Sequence, residues 1–293
     1  MKYRIRHVTD YKYQEAVSVC HNRLCLAPIS THGQKCLAFE VKIAPTPDEV
    51  TNRVDFFGNN LLFFSTYKEH DHLEIISTSE VILDGRDSAG LANGSSILWQ
   101  DVKRHLFSGT EINYEVMAYS LPSQHIPYSE MIKSYATDCF QEGATLWTAC
   151  NLVMQKIYKS IEFKPGFTTV NTPVEYVLKA RKGVCQDFAH LMIACFRNMG
   201  LAARYVSGYI ETIPAPGKEK LTGSDASHAW VSVYFPTIGW VEFDPTNNLL
   251  PTDKHITIAF GRDYQDVAPI KGIIFSSGDQ ILDVKVDVMR IQG

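Results

Sequence analysis

Three residues in the second half of the chain, Cys185, His228 and Asp244, have the side chains that acyl transfer through a thioester requires. In such chemistry a cysteine thiolate attacks an acyl carbon, a histidine moves the proton and a carboxylate holds the imidazole. Cys185 lies in the stretch GVCQDFAH, where an apolar helical stripe begins. The unpaired N–H groups and the positive dipole end of a helix N-terminus stabilise a thiolate there. Cys185 is therefore a candidate nucleophile.

Cys185 also has a second interpretation, because free cysteine is among the most buried residue types and this one could be a small core residue. Asp187, two residues later, is expected to raise the pKa of a nearby thiol, unless it serves only to cap the helix. His190 lies about 140° further round the same helix and is predicted to be a surface or interdomain packing residue. A nucleophilic Cys185 therefore needs a base from another element.

The stretch SHAWVSVYFPTIGWVEFDPTNN can supply that base, because it predicts an antiparallel hairpin with one apolar face. The apolar residues of both strands have odd numbers, so they share a face only if the numbers of opposite residues add up to an even sum. The even-numbered residues, including His228 and Asp244, then share the other face. A three-residue turn pairs Phe235 with Gly239. His228 and Asp244 are then diagonal neighbours across the hairpin, about 7–8 Å apart by backbone spacing. An exposed hairpin with incidental His and Asp is the alternative. The apolar set is Val231, Val233, Phe235, Val241 and Phe243.

The first 84 residues predict a β-rich, sandwich-like N-terminal domain, because their apolar residues alternate with a period of two. The stretch LAFEVKI places Leu37 and every second residue up to Ile43 on one face. NRVDFFGNNLLFF predicts two strands around a turn at Gly58, and LEIISTSEVIL predicts a further strand. Segment 84–96 is rich in Gly, Asp, Asn and Ser and predicts a linker.

From about residue 129 the apolar period becomes helical, and three helices are predicted before Gly200. The first and third bury stripes that include Cys150 and Cys195, so these cysteines are predicted core residues. The second is predicted to have Thr172 as its N-cap and Glu175 closing a capping box.

Alternating strand patterns follow the third helix, so the second half is predicted to be α+β. The C-terminal strands are expected to pack on the core or on the N-terminal domain. The predicted units are a β-rich domain (1–84), a linker and connecting segment (85–128), a catalytic core (129–265) and C-terminal strands (266–293).

The composition excludes several classes of protein. The chain has 293 residues, 45% of them hydrophobic, and a formal net charge of -4, so it can bury a large core but lacks the basic surface typical of nucleic-acid binding. No apolar stretch has the length of a signal peptide or a membrane span, which predicts a cytoplasmic protein without a membrane partner. Seven cysteines without a CxxC pair predict free thiols.

The blocks KGVCQDFAH and SHAWVSVYFPTIGWVEFDPTNN resemble the core of the transglutaminase-like superfamily, in particular the bacterial group of transglutaminase-like enzymes and cysteine proteases. The first 84 residues resemble the β-rich N-terminal region of that group. The resemblance implies Cys185 as nucleophile, His228 as general base and acid, and Asp244 as the residue that orients the histidine. It also implies a papain-like core, with the cysteine helix packed on an antiparallel sheet. The backbone N–H of Cys185 is the expected first oxyanion donor, and Gln186 or a residue before the core could be the second.

The predicted reaction is acyl transfer through a thioester, most directly hydrolysis of a peptide or amide bond in a peptide or protein substrate. Transamidation of glutamine is the first alternative. The sequence has no evident calcium loop of the EF-hand type, which favours hydrolysis over transamidation. An acetyltransferase resembling the arylamine acetyltransferases is a second, because RKGVC is similar to part of their motif. A non-catalytic protein-binding module is the alternative from another class. The sequence does not predict the oligomeric state.

No cofactor and no metal site are predicted. His70 and His72 lie among acidic residues in KEHDHLE, but a polar connection between strands explains them more simply than a metal site does. The loop at 213–227 ends next to His228 and could be a mobile flap that faces the substrate. The aromatic residues Trp230, Tyr234 and Trp240 could line a peptide cleft or pack beneath the N-terminal domain.

Overall fold

The computed structural model describes residues 1–85, 90, 95–108, 114–212, 226–236, 238–276 and 278–291. Two four-stranded antiparallel sheets contain the N-terminal strands, and a third antiparallel sheet belongs to the second half of the chain together with most of the helices. This mixture of antiparallel sheets and helices confirms the predicted α+β class.

The first sheet joins three N-terminal strands to the last strand of the chain. In spatial order it consists of β14 (Gln280–Ile291), β1 (Lys2–Val17), β6 (His70–Leu83) and β3 (Gln34–Ala44).

The second sheet has the same mixed origin. In spatial order it consists of β13 (Ile270–Ile274), β2 (Cys20–Leu24), β5 (Asn60–Thr66) and β4 (Glu49–Val54). The predicted turn at Gly58 joins β4 to β5, and Gly58 has φ 83°, a conformation that glycine adopts readily.

The two sheets share an apolar core, as expected when each sheet has one apolar face. Residues of β3 that were predicted to share a face, including Phe39 and Ile43, pack against this core. Leu37 does not follow the pattern and is 42% exposed, because the β3–β6 pairing shifts register between Cys36 and Ala38. The buried members of the core are Tyr13, Val17, Cys20, Leu24, Leu26, Phe64, Leu73 and Ile75.

The C-terminal strands pair with N-terminal strands. β14 runs antiparallel to β1, from the pair Lys2 and Ile291 to the pair Tyr13 and Gln280. β13 runs antiparallel to β2. The segment 266–293 thus supplies an edge strand to each of the two N-terminal sheets.

The third sheet carries the hairpin that the sequence predicts. In spatial order it consists of β11 (Gly239–Phe243), β10 (Ala226–Phe235), β9 (Ala203–Ile210) and β12 (His255–Gly261). A short parallel pair, β7 (Glu162–Phe163) and β8 (Lys182–Gly183), lies outside this sheet.

Seven α-helices and one short 3-10 helix (Thr137–Cys139) have defined bounds in the described part of the chain, and no helix there is both long and apolar enough to span a membrane. The α-helices are α1 (Trp99–Ser108), α2 (Tyr114–Met117), α3 (Glu130–Ala136), α4 (Leu146–Ser160), α5 (Val174–Ala180), α6 (Cys185–Asn198) and α7 (Tyr264–Val267).

Helix α6 is the central element of the second half. It packs against strands β9 and β10 and against helices α3, α4 and α5, so all of its residues after Cys185 are buried, not only the predicted apolar stripe. Its buried polar side chains need hydrogen-bond partners. Arg197 donates to the carbonyl oxygens of Tyr119, Ala203 and Arg262 at 2.6–3.2 Å.

The segment assigned to a connection, 85–128, contributes to the core. Val102 and Leu106 of α1 and Val116 of α2 are buried in the same apolar cluster as α4 and α6. Helix α5 begins differently from the prediction, with Pro173 at the N-cap position and no side-chain cap. Thr172 instead accepts a hydrogen bond from the backbone of Thr169.

Gly208 allows strand β9 to lie close to its neighbours. A Cβ atom there would overlap the carbonyl oxygen of Ile256 on β12 and come within 2.5 Å of the Trp230 ring on β10. Both obstacles are parts of a buried sheet, so neither can move freely.

We expect Gly208→Ala to lower the free energy of unfolding by about 2 kcal/mol or more, because the added methyl group overpacks the sheet. Ser207→Ala on the same strand is the matched control and should change it by less than about 0.5 kcal/mol. Urea unfolding followed by circular dichroism measures both. Equal stability of Gly208→Ala and wild type would contradict this packing.

Candidate active site

Cys185 is the first residue of helix α6 and is partly exposed. By contrast, Cys150 and Cys195, which were predicted to be core residues, are fully buried. The first backbone N–H groups of a helix have no partner within the helix, so they and the helix dipole favour a negative charge at Cys185. The structure therefore places Cys185 where a reactive thiol, rather than a core residue, is expected.

Asp187 is turned into the helix cap. Its Oδ2 accepts hydrogen bonds from the Val184 N–H at 2.7 Å and from the Thr168 hydroxyl at 2.6 Å. Gly183 makes room for it, since a Cβ atom there would lie 2.8 Å from the carboxylate. Burial raises the pKa of Asp187, and these hydrogen bonds act in the opposite direction. Asp187 therefore caps helix α6, as one of its two predicted roles requires.

The hairpin has the predicted register. Phe235 lies opposite Gly239, and Val231 lies opposite Phe243. His228 and Asp244 therefore meet as predicted, with His228 Nε2 2.8 Å from Asp244 Oδ2. Both side chains are buried.

His228 joins the two other residues of the predicted triad. Its Nε2 donates to Asp244, and Cys185 lies near enough to the ring to raise its pKa, which leaves Nδ1 as the ring nitrogen available to the thiol. Burial opposes a charge on this imidazole, but the Asp244 hydrogen bond and the pairing with Cys185 outweigh it and raise the pKa of His228 to about 10. The site thus favours an imidazolium beside the sulfur.

The Asp244 carboxylate accepts five hydrogen bonds. Oδ2 receives His228 Nε2, Asn247 Nδ2 at 2.7 Å and His255 Nε2 at 3.1 Å. Oδ1 receives the backbone N–H groups of Thr246 and Asn247 at 3.0 and 3.2 Å. Burial alone would raise the pKa of Asp244, but the donors hold it well below its usual range. Asp244 therefore stays ionised although it is fully buried.

Sequence reasoning missed His255 and Asn247. Asn247 lies in the DPTNN stretch that the resemblance includes, so its position near Asp244 could have been noted. His255 gave no such signal. Its contact with Asp244 depends on β12 pairing with the edge of β9 that faces away from β10, where His255 lies opposite Ile210. Strand order of this kind does not follow from periodicity.

His190 is a buried packing residue, so of its two predicted roles, at the surface or in packing between domains, the structure excludes the surface position. It is 2% exposed, because α6 is covered on all sides. Its Nε2 accepts a hydrogen bond from the Tyr264 N–H at 3.1 Å, and its ring stacks on His125 at 5.4 Å. Burial lowers the pKa of His190 to about 3. It therefore remains neutral and does not compete with His228 for a proton.

The aromatic residues of the hairpin differ in burial: Trp230 packs within the protein, whereas Tyr234 and Trp240 are half-buried and line a cleft. Trp230 is fully buried in a cluster with Val206 and Phe260 and with Ile29 from the N-terminal part. The Arg204 guanidinium lies 4.3 Å from the centre of the Trp240 ring. Of the two interpretations, packing beneath the N-terminal region fits Trp230.

The backbone N–H of Cys185, the expected first oxyanion donor, lies at the N-terminus of α6. The Gln186 side chain, a candidate for the second donor, is 8% exposed and donates to the Val170 carbonyl oxygen at 3.1 Å. This bond uses one of the two N–H groups of the Gln186 amide. The loop considered as a flap (213–227) lies outside the described residues except for its last two.

The histidines of KEHDHLE do not converge on a common point. His70 is bonded to the Lys68 carbonyl oxygen, whereas His72 is exposed and contacts Asp10. Within the described ranges, ligand atoms with the composition of a metal site come together at His228, Asp244 and His255, where they lie within 4.8 Å of one another. The hydrogen bonds among these three side chains already account for that arrangement.

Two family models match the chain. The bacterial transglutaminase-like N-terminal region matches residues 3–82, and the transglutaminase-like superfamily matches residues 133–245, which include Cys185, His228 and Asp244.

Relatives and solved structures agree with these matches. An uncharacterized protein of Mycobacterium tuberculosis is 35% identical over 298 residues, which are 100% of this chain and 94% of the relative. The protein-glutamine gamma-glutamyltransferase of Pseudomonas aeruginosa is 34% identical over 90 residues, which are 30% of this chain and 13% of that protein. The structure of a "Putative Cysteine Protease" from Cytophaga hutchinsonii has a TM-score of 0.75 at 20% identity, covering 100% of this chain and 92% of that one. This last similarity concerns the fold.

The raised pKa of His228 predicts a pH-dependent contribution to stability. A group whose pKa is higher in the folded than in the unfolded state stabilises fully below the unfolded value, about 6.5 for histidine, and loses that effect as the pH rises towards the folded value. In a Cys185→Ala background, which removes the titration of the thiol, adding His228→Gln should therefore destabilise the protein more at pH 6 than at pH 9. Urea unfolding at both pH values measures the difference. A difference that is constant or grows with pH would contradict the ion pair with Asp244.

Proposed function

Because the chain belongs to the transglutaminase-like superfamily, we propose that it catalyses thiol-dependent acyl transfer with Cys185 as the nucleophile. His228 serves as general base and acid, and Asp244 orients His228. Hydrolysis of a peptide or amide bond is the reaction we favour. The observation that supports this proposal best is the 2.8 Å hydrogen bond from the buried His228 Nε2 to Asp244, with Cys185 near enough to the same imidazole to raise its pKa.

The three residues come from three separate elements, which makes a chance arrangement a poor explanation. Cys185 begins helix α6, His228 lies on β10, and Asp244 follows β11 directly. His228 is bonded to an ionised Asp244, and both Asp244 and Cys185 raise the pKa of the imidazole. A nucleophile, a base within hydrogen-bond reach and a group that orients the base are the parts that acyl transfer requires.

In the proposed acylation step, the Cys185 thiolate, whose proton already lies on His228 Nδ1, forms a bond with the acyl carbon of the substrate. The developing oxyanion accepts the backbone N–H of Cys185. The C–N bond of the substrate then breaks, and the leaving amine takes the proton from His228. The products of this step are a thioester on Cys185 and a free amine.

In the deacylation step, a water molecule gives its proton to His228 while its oxygen attacks the thioester carbon. The C–S bond breaks, and the Cys185 sulfur leaves as a thiolate paired with the His228 imidazolium. The carboxylic acid leaves the site. Asp244 stays ionised in both steps and supports the imidazolium each time it forms.

An amine in place of water would make the second step a transamidation. The similarity of a 90-residue stretch to the protein-glutamine gamma-glutamyltransferase of Pseudomonas aeruginosa favours this as the second candidate function. The triad chemistry is common to both reactions, so the acceptor and not the nucleophile distinguishes them. Acylation of Cys185 by acetyl-CoA would favour the acetyltransferase alternative instead.

We expect iodoacetamide to alkylate Cys185 rapidly at pH 6, because a thiolate paired with an imidazolium persists where an ordinary thiol is protonated. Cys36, the other cysteine that is not buried, is an internal control. Burial raises its pKa, so it should react at least about tenfold more slowly at pH 6. Peptide mass spectrometry measures both rates in one sample. Equal alkylation rates at Cys185 and Cys36 would contradict the proposed enzymatic function and favour a non-catalytic protein-binding module.

Turnover should require the whole triad. On a library of peptides and glutamine amides, Cys185→Ala should abolish activity, and Asp244→Asn should lower kcat by about a hundredfold or more. Cys36→Ala should have wild-type activity. New peptide amino termini as products would identify a peptidase, whereas ammonia release with incorporation of an added amine would identify a transamidase. Turnover by Cys185→Ala at the wild-type rate would exclude the thioester mechanism.

A further inference from the structure

We infer that His255 is a positioning residue of the triad, which holds Asp244 in place as a neutral hydrogen-bond donor. This inference rests on the acyl transfer proposed above, because it concerns the carboxylate that supports His228. His255 is 1% exposed, and its Nε2 lies 3.1 Å from Asp244 Oδ2.

The hydrogen bonds of His255 determine its tautomer. The backbone N–H of Thr252 donates to His255 Nδ1 at 3.3 Å, so Nδ1 acts as an acceptor and carries no proton. The proton therefore lies on Nε2 and points at the Asp244 carboxylate. A ring in this state donates to the carboxylate without bringing a second positive charge to it. The charge of Asp244 thus remains available to the His228 imidazolium.

His255 approaches Asp244 from a different part of the chain than the other fixed donors. Thr246 and Asn247 belong to the turn that begins at Asp244 and move with it. His255 belongs to strand β12, which pairs with β9. Its hydrogen bond therefore ties the turn after β11 to the other edge of the sheet.

The His255 ring is itself held rigidly. Trp230 contacts it edge to face, with 5.3 Å between the ring centres and 82° between the planes. The indole Nε1 of Trp230 donates to Glu242 at 3.0 Å, which fixes the indole. Gly208 leaves the space that Trp230 occupies. Asp244 is thus positioned by a donor whose orientation is set by packing.

This arrangement predicts an effect on the charge state of the catalytic pair. Removing the Nε2 donor leaves one face of a buried carboxylate without a hydrogen bond, which weakens the support that Asp244 gives to the His228 imidazolium. The thiolate of Cys185 then loses part of its counter-charge. The loss matters at pH 6 and much less at high pH, where a cysteine ionises without help.

Alkylation of Cys185 in His255→Phe tests the inference without a substrate, since phenylalanine keeps the ring packing against Trp230 but cannot donate. The rate at pH 6 should fall about tenfold relative to wild type, and the rate at pH 9.5 by no more than about twofold. His255→Gln, whose side-chain N–H can replace the donor, should retain at least about a third of the wild-type rate at pH 6. His255→Leu replaces His255→Phe if the latter does not fold.

His7→Phe is the matched control, because His7 is an equally buried histidine that bonds to Tyr209 and Thr9 and not to Asp244. It should leave the ratio of the two alkylation rates unchanged. A folded His255→Phe with the wild-type ratio, or with equal losses at both pH values, would overturn the positioning role while leaving the proposed function intact. Slow alkylation of wild-type Cys185 at pH 6 would instead overturn the proposed function and this inference together.

Discussion

The site depends on keeping one fully buried carboxylate ionised. A carboxylate removed from water takes up a proton unless hydrogen bonds and an opposite charge replace its hydration. Asp244 receives five hydrogen bonds, from two histidines, one side-chain amide and two backbone N–H groups. The charge that these donors retain raises the pKa of His228, and Cys185 raises it further.

The fold can be understood as the means of bringing these groups together. Helix α6 places Cys185 at its exposed N-terminus while the rest of the helix is buried. The β10–β11 hairpin sets the distance between His228 and Asp244, and β12 adds His255 from the other side of β9. The C-terminal strands β13 and β14 each add an edge strand to one N-terminal sheet, and Ile29 packs against the Trp230 cluster.

The sequence was sufficient for interactions that depend on short-range periodicity. The odd numbers of the apolar hairpin residues determined the register, and with it the meeting of His228 and Asp244. It was insufficient where an interaction depends on which elements become neighbours. His255 needs the β9–β12 pairing, and His190 is buried because other elements cover α6 on every side. Local competition explains Thr172, which bonds to Thr169 instead of capping α5.

The central claim is that Asp244 keeps the His228 imidazole charged beside Cys185. Nitrogen chemical shifts of the His228 ring, recorded by NMR between pH 5 and pH 11 in wild type and in Asp244→Asn, test it most directly. The account predicts an imidazolium in wild type that persists to about pH 10 and is lost at clearly lower pH in Asp244→Asn. A wild-type ring that titrates near the ordinary histidine value of about 6.5, unaffected by Asp244→Asn, would contradict the account.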